Sequence, residues 1–497
     1  MTAKTLMIQG SSSSAGKSLL VTALCRIYAR RGIKVAPFKG QNMSNNAAVC
    51  ADGGEIGRAQ ALQAAAAGIQ PTTDMNPVLI KPEADSRSQI ILNGRPWHTL
   101  EAKTYYEKKA ILWEHVTAAL NRLRGEYNLI IIEGAGSPAE LNLKRGDIVN
   151  MAVAQYAQSP VLLVGDIDRG GIFAQLLGTH WLLDPEEQKL MRGFIVNKFR
   201  GDLSLFDDGI QILEQKSGIP VLGVIPYLRG LSLPDEDAVS IETASDSAKP
   251  ASTSQTDIAV LALPRIANFD DFDSLRAEPN IHIRHVDSVE KLGTPHAIII
   301  PGTKSTMSDL NWLRQTGLAD AVIEFARQGG EVVGICGGYQ MLGRELHDPL
   351  HIESQNDFSE GLGLLPIATT FSKTKATYQA RARILNFASL AGEFIEGYEI
   401  HAGETQSQSQ WLEIVSRNGE QAQVQDGGVS SNGNVWGCYL HGLFHNDSFR
   451  HAWLKKLGWR GAESSHSARF QESLEKLADA VEEALDVKLL EKIIWER

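Results

Sequence analysis

The stretch that decides the fold of the N-terminal half is Thr5–Ser18, TLMIQGSSSSAGKS. Its apolar start predicts a strand, and the strand leads directly into a turn rich in serine and glycine. The following residues predict a helix, because Leu20, Leu24 and Ile27 fall on one helical face. A strand, a glycine-containing turn and a helix in this order indicate a phosphate-binding loop.

The loop supplies the residue types that a nucleotide requires. Backbone N–H groups at the helix start can hold phosphates, Lys17 can reach the β and γ oxygens, and the Ser18 hydroxyl can reach Mg²⁺. The spacing between Gly10 and Gly16 is one residue longer than in the standard loop. We predict nucleotide contacts from Gly10, Ser14, Gly16, Lys17 and Ser18, although a turn that only caps a helix remains the alternative.

Other polar residues follow predicted strands, where doubly wound sheets place their ligands. Glu133 and Asp166 are candidate ligands for Mg²⁺, or alternatively helix caps. Glu55 is a weaker metal candidate that could instead be an acidic residue at a helix start. Lys39 is either a second phosphate contact or a solvated lysine. Asn197 either pairs with a purine edge or belongs to a turn.

Apolar runs alternate with helical patterns in both halves of the chain, which predicts an α/β fold with two doubly wound domains. The polar stretch TASDSAKPASTSQT cannot bury a core and predicts a linker. After Gly361 short alternating segments predict a β-rich part, and an apolar stripe near the end predicts a helix. The expected organisation is residues 1–242, a linker at 243–256, residues 257–450 and a helical extension at 451–497.

Composition excludes several classes of protein. The chain has 497 residues, and 48 Lys and Arg against 59 Asp and Glu give a net charge of −11. An acidic chain is a poor candidate for binding nucleic acid or anionic membranes. No apolar run is long enough to span a membrane or to act as a signal peptide. The scattered cysteines fit a reducing compartment, so we expect a cytoplasmic protein without nucleic-acid or membrane partners.

The second half contains a candidate nucleophile, Cys336, in EVVGICGGYQMLG. A predicted strand runs into Gly334-x-Cys336-x-Gly338, and a helix follows, as in a nucleophile elbow. The helix start favours a thiolate, and the N–H of Gly337 faces the place where an oxyanion would form. Gly302, which follows another predicted strand, could supply a second oxyanion N–H.

A thiolate nucleophile requires a base, and two histidines compete for this role. His441, in NVWGCYLHGLF, and His401, in GYEIHAGE, each follow an apolar strand pattern. Sequence spacing does not choose between them.

The chain resembles the cobyric acid synthases, a family of glutamine-dependent amidotransferases of cobalamin synthesis. The resemblance covers essentially the whole chain, and FKGQNMSNN and MNPVLIKP are specific to this family. The other stretches that carry it are GSSSSAGKS, GGEIGRAQALQAAAAG, ADSRSQIILNG, IEGAGSPAELNL, VGDIDRGGIFA, NKFRGD, PGTKSTMSDL, GICGGYQMLG, GYEIHAGE and YLHGLF. More widely, the N-terminal half is similar to dethiobiotin synthetase, and the C-terminal half to the flavodoxin-like class I glutamine amidotransferases.

The resemblance implies an enzyme that uses ATP, Mg²⁺ and glutamine to amidate carboxylates b, d, e and g of adenosylcobyrinic acid a,c-diamide, a corrinoid. It implies Cys336 as the glutaminase nucleophile and His441 as its base, with Lys17, Ser18 and Glu133 at nucleotide and metal positions. Class I enzymes usually carry a glutamate two residues after this histidine. Leu443 occupies that position here, so no third triad member is assigned. Separately, residues 265–275 are expected to form a plain loop.

Two rival functions remain open from the sequence. The first is cobyrinic acid a,c-diamide synthase, which has the same architecture, although FKGQNMSNN and MNPVLIKP argue against it. The second is a deviant P-loop ATPase scaffold with an inactive amidotransferase module. The intact GICGG stretch and the turn at His441 argue against this scaffold. The sequence does not indicate an oligomeric state.

Overall fold

The computed structural model describes residues 2–84, 87–234, 255–387 and 390–496. The chain divides into two compact units, and neither is continuous in sequence. The first unit comprises Met1–Met43, Ile56–Leu233 and Phe470–Arg497, and the second comprises Ser44–Glu55 and Pro234–Arg469. Most of the expected linker, residues 243–254, lies outside the described residues.

The first unit is built on a sheet of six parallel strands, and the strand before the phosphate loop lies inside it. The central strands Lys4–Gly10, Leu129–Glu133 and Val161–Asp166 are buried on both faces, which explains their continuous apolar runs. In spatial order they are Val221–Pro226, Met191–Phe199, Val161–Asp166, Lys4–Gly10, Leu129–Glu133 and Val35–Phe38. Since parallel strands end at the same edge, Glu133 and Asp166 lie on either side of the phosphate loop.

The remaining elements of the first unit surround this sheet. A four-stranded sheet consists of Gln41–Met43, Val78–Ala84, Arg87–Leu92 and Arg95–Glu101. The α-helices are Lys17–Arg30, Arg58–Ala66, Ala102–Glu126, Met151–Ala157, Ile172–Leu182, Pro185–Gln188, Asp207–Ser217 and Val487–Trp495, together with His466–Ala484 from Phe470 onward. Single 3₁₀ turns lie at Thr73–Met75, Ile167–Arg169 and Leu203–Phe206. The short strand Ala47–Val49 belongs to the second unit. The chain returns to the first unit within the short strand Glu55–Gly57.

The second unit has a mostly parallel sheet and a separate β-rich part. The first sheet contains, in spatial order, Ile281–Val286, Thr256–Leu261, Ala297–Ile300, Glu331–Ile335, Val435–Cys438 and the antiparallel edge strand Gly428–Val429. The β-rich part contains Glu345–His347, Phe358–Glu360, Ala368–Ile384, Phe394–Gln406, Leu412–Arg417 and Glu420–Asp426. The α/β fold with parallel sheets expected from the sequence is therefore confirmed.

Short helices connect the strands of the second unit. They are Asp273–Arg276, Val289–Leu292, Thr306–Gln315, Leu318–Arg327, Gly337–Met341 and Asp447–Lys456, with 3₁₀ turns at Phe269–Phe272 and Leu443–His445. Across the residues that the structure describes, no helix combines the length and apolar character needed to cross a membrane.

The C-terminal helices form part of the core of the first unit. Leu474, Leu477 and Val481 are buried in the same apolar cluster as Leu20 and Leu24 of the phosphate-loop helix. A network of ion pairs joins the polar flanks of these helices, with Arg30 to Asp479 at 2.5 Å, Arg30 to Glu482 at 2.6 Å and Arg31 to Glu491 at 2.6 Å. Exposed ion pairs stabilise little, so burial of apolar side chains supplies most of the free energy that holds the C-terminal helices to the phosphate-loop helix.

We expect Leu477→Ala to destabilise the first unit by about 2–5 kcal/mol, because it leaves a cavity in a fully packed core. Urea unfolding followed by tryptophan fluorescence measures this change. The adjacent Lys476→Ala is the control, since Lys476 is exposed and should change stability by no more than about 0.5 kcal/mol. Equal effects of the two substitutions would contradict the assigned packing.

Candidate active sites

Lys17 is the first residue of the phosphate-loop helix, and its side chain folds back across the loop. Its Nζ donates to the carbonyl of Ser12 at 3.0 Å and to that of Gly136 at 3.1 Å. A Cβ placed on Gly10 would lie 2.8 Å from this Nζ, so the end of the first strand is in direct contact with the lysine. The ammonium group therefore lies where phosphate oxygens bound to the loop would meet it.

The loop is held in place from the neighbouring strand. Asn197 Nδ2 donates to the carbonyl of Ala15 at 2.9 Å, and Lys198 Nζ donates to that of Ser14 at 2.8 Å. Gly16 has φ 97°, and a Cβ there would lie 2.1 Å from Asn197 Nδ2, so only glycine fits. The Asn197 amide thus contacts the loop backbone in this structure.

Glu133 is the centre of a buried polar cluster beside the loop. Its Oε1 accepts from Ser18 Oγ at 2.9 Å and from Lys39 Nζ at 2.7 Å, and its Oε2 accepts from Gln63 Nε2 at 2.5 Å. The structure thus brings together three residues that the sequence suggested separately, Ser18, Lys39 and Glu133. Gln63 was missed, because a glutamine within an alanine-rich helix carries no signal of its own.

The two other candidate metal ligands have different partners. Asp166 caps the 3₁₀ turn after its strand by accepting from Asp168 N at 3.0 Å, and it pairs with Lys198 at 2.8 Å. Glu55 belongs to the second unit, where its buried carboxylate pairs with Lys375 at 2.6 Å. Ser18 and Glu133 therefore form the candidate metal site that the geometry of the first unit supports best.

Cys336 lies between strand Glu331–Ile335 and helix Gly337–Met341. Its φ of 51° is rare for a residue with a side chain and marks a sharp, strained turn. The thiol approaches the carbonyl of Ile400 at 3.5 Å. The flanking glycines and the positive φ give this cysteine the geometry of a nucleophile elbow.

His441 is held by a carboxylate that the sequence did not identify. Its Nδ1 donates to Asp271 Oδ2 at 2.7 Å, and Gly442 N donates to Asp271 Oδ1 at 2.8 Å. The side chains of His441 and Asp271 are only 2 % and 3 % exposed. Cys336 also acts on His441 electrostatically, so the three side chains form a Cys–His–Asp constellation.

Electrostatics favour the charged form of this histidine. Burial alone would lower the pKa of His441, but the charges of Asp271 and Cys336 outweigh burial and raise the pKa to about 10. Burial likewise opposes ionisation of Asp271, yet the imidazolium holds the pKa of that carboxyl below its usual range. The charged imidazolium is therefore the favoured form of His441, beside the Asp271 carboxylate.

Asp271 lies in the stretch that was expected to be a plain loop, on the 3₁₀ turn Phe269–Phe272. It is 170 residues from His441 in sequence, so spacing could not connect the two. The sequence contains one indirect indication of this carboxylate: Leu443 occupies the position where class I enzymes usually carry a glutamate. A missing partner beside a complete Cys and His arrangement indicates that another segment supplies the carboxylate.

The two candidate oxyanion glycines lie next to the constellation. A Cβ on Gly302 would lie 3.0 Å from His441 Cε1 and 3.7 Å from Cys336 Cβ. Gly337 begins the helix after the nucleophile, and a Cβ there would lie 3.2 Å from Thr303 N. A side chain at either glycine would crowd these groups, and both glycines remain candidates for the oxyanion site.

His401, the competing base, makes different contacts. Its Nδ1 lies 2.8 Å from the carbonyl of Gly403, its Nε2 lies 3.4 Å from Glu399, and its ring stacks on Tyr439 with centroids 3.7 Å apart. His441 pairs with its carboxylate at 2.7 Å, against 3.4 Å for His401, and Cys336 acts on His441, so the geometry favours His441 as the base.

Comparison with known proteins matches each half of the chain to a known domain. Residues 6–240 match the CobQ/CobB/MinD/ParA nucleotide binding domain, and residues 257–449 match the CobB/CobQ-like glutamine amidotransferase domain. The sequence is 54% identical over 99% of both chains to a cobyric acid synthase of Chloroflexus aggregans. It is 53% identical to that of Chloroflexus aurantiacus over 99% of this chain and 100% of the relative. It is 51% identical to that of Herpetosiphon aurantiacus over 99% of both chains. The resemblance predicted from the sequence is confirmed, and the chain belongs to the cobyric acid synthase family.

Proposed function

We propose that this chain is a glutamine-hydrolysing ligase that uses ATP to amidate the b, d, e and g carboxylates of adenosylcobyrinic acid a,c-diamide. The observation that carries the proposal is the buried constellation of Cys336, His441 and Asp271, in a chain that also contains a phosphate loop. We infer the corrinoid substrate from the family to which the chain belongs. The sister reaction at carboxylates a and c is distinguished by product mass.

The second unit releases ammonia from glutamine. The Cys336 thiolate attacks the side-chain amide carbon, and the N–H groups of Gly302 and Gly337 stabilise the oxyanion that forms. His441 then donates its proton to the departing nitrogen, so ammonia and a thioester result. A water molecule deprotonated by His441 next attacks the thioester, which releases glutamate and restores the thiolate.

The first unit activates a carboxylate for attack by that ammonia. A carboxylate oxygen of the corrinoid attacks the γ-phosphorus of ATP, ADP leaves, and an acyl phosphate forms. Ammonia then attacks the acyl carbon and expels inorganic phosphate, which leaves an amide. Lys17 and the loop N–H groups stabilise the negative charge that moves onto the phosphate oxygens.

The residues present fit a magnesium ion. Mg²⁺ prefers hard oxygen ligands, and the Ser18 hydroxyl and the Glu133 carboxylate lie 2.9 Å apart beside the loop. These two residues would hold the ion, which would neutralise charge on the β and γ phosphates. Lys39 Nζ pairs with the same carboxylate at 2.7 Å and helps to orient it.

We expect Cys336→Ser to abolish glutamine-driven amidation while amidation driven by added ammonia continues, because the substitution removes only the nitrogen-releasing nucleophile. Mass spectrometry of the corrinoid product, with glutamine or with ammonium chloride, measures both activities. Loss of both in a folded variant would show that the two units do not divide the work in this way.

Lys17→Ala should lower amidation from either nitrogen source by at least ~10²-fold, because phosphoryl transfer loses its main positive charge. Glutamine hydrolysis to glutamate should persist. Lys216→Ala, at an exposed position on helix Asp207–Ser217, is the control for removal of a lysine and should behave as wild type.

Asp271→Asn should lower kcat for glutamine hydrolysis by roughly 10²-fold or more, because the imidazolium loses its orienting carboxylate. The pKa of His441, raised to about 10 in the native site, should fall. Since the imidazolium is lost as pH rises through this pKa, the alkaline limb of the pH–rate profile should move to lower pH. Asp273→Asn, in the same segment, should leave the profile unchanged.

A further inference from the structure

Ser44–Glu55 is a short segment of the N-terminal half that packs within the second unit. Its strand Ala47–Val49 contacts the long strands Ala368–Ile384 and Phe394–Gln406 of the β-rich part. It begins inside the FKGQNMSNN stretch, five residues after Lys39. We call Ser44–Glu55 the inserted segment.

The inserted segment makes a reciprocal pair of hydrogen bonds with the loop that carries Asp271. Asn46 Oδ1 accepts from Phe269 N at 3.3 Å, and Asn268 Oδ1 accepts from Ala47 N at 3.1 Å. Asn46 is 1% exposed and Asn268 is 3% exposed. Loss of either side chain would therefore leave a buried backbone N–H without this partner, which is costly.

The pair lies one helical turn from the carboxylate that holds His441. Asn268 has φ 52°, a left-handed conformation that asparagine tolerates, and it starts the 3₁₀ turn Phe269–Phe272. Its carbonyl accepts from Asp271 N at 3.1 Å. A displacement of Asn268 would therefore displace the Asp271 carboxylate.

The same loop also supports the oxyanion side of the site. Ala267 N donates to the carbonyl of Gly302 at 2.9 Å, and Ile266 forms an isolated β-bridge with Thr303. Residues 266–271 thus connect the Gly302–Thr303 turn to the His441 carboxylate, and the inserted segment binds in the middle of this connection.

We propose that Asn46, paired with Asn268, is a positioning residue for glutamine hydrolysis, which it sustains by fixing the loop that presents Asp271 to His441. This inference rests on the proposed function. It makes the inserted segment, which comes from the nucleotide-binding half of the sequence, a structural requirement of the glutaminase site.

Other contacts hold the inserted segment without touching the Asp271 loop. Gln379 Nε2 donates to the carbonyl of Val49 at 2.9 Å, and Lys375 pairs with Glu55 at 2.6 Å. Gln379 thus provides a matched control, since Gln379→Ala removes one hydrogen bond to the same segment. If the segment only needs to be docked, this control and Asn46→Ala should have similar effects.

The experiment measures glutamate release by the full-length chain as a function of glutamine concentration. We expect Asn46→Ala to lower kcat by about 10- to 100-fold, the cost of a small misplacement of catalytic groups. KM for glutamine should stay within about twofold, because a residue that acts through Asp271 removes no ground-state contact with glutamine. Gln379→Ala should retain wild-type kcat.

Asn268→Gly is the second variant, because glycine keeps the positive φ and loses only the side chain. It should lower kcat like Asn46→Ala, and the double variant should fall little further, since both changes break one anchor. Thermal unfolding identifies any variant that fails to fold, and the other single variant then decides.

The outcomes separate the two claims. A wild-type chain that releases no glutamate would overturn the proposed function itself. A wild type that hydrolyses glutamine, with both asparagine variants as fast as Gln379→Ala or with KM alone changed, would overturn the role of Asn46.

Discussion

The His441 imidazolium and the Asp271 carboxylate meet at 2.7 Å in a region of the second unit that excludes almost all water. Neither charge would be stable there alone, because burial opposes ionisation of each. Their mutual attraction and the Gly442 N–H make the pair possible. Cys336, Gly302 and residues 266–271 are arranged around this pair, so its geometry constrains the whole second site.

A similar balance of charge governs the first unit. Glu133 is fully buried, and Lys39, Ser18 and Gln63 together satisfy its oxygens. A cation arriving with the nucleotide would find a carboxylate that these contacts already orient. The loop itself is supported from the strand carrying Asn197 and Lys198, which bind its carbonyls. Both sites thus use buried polar contacts to fix groups before any substrate arrives.

Local patterns predicted most of the fold and part of each site. The strand, turn and helix around Lys17 and around Cys336 are encoded by adjacent residues, so the sequence located them directly. The apolar stripe Leu474, Leu477 and Val481 predicted a helix, but nothing in it indicated that the helix packs with the phosphate-loop helix. Asp271 and Asn46 escaped prediction for the same reason, since their partners are far away in sequence. Asn46 lies in the FKGQNMSNN stretch, but the stretch does not reveal its partner.

The division of the chain between the two units has a consequence for biosynthesis. The core of the first unit combines residues near the start of the sequence with residues of the C-terminal helices, such as Leu474 and Ile494. During translation, nearly all of the polypeptide leaves the ribosome before those helices emerge. The apolar face of the nucleotide-binding half that these helices cover therefore stays exposed until translation is nearly finished. The second unit can complete its folding before that point.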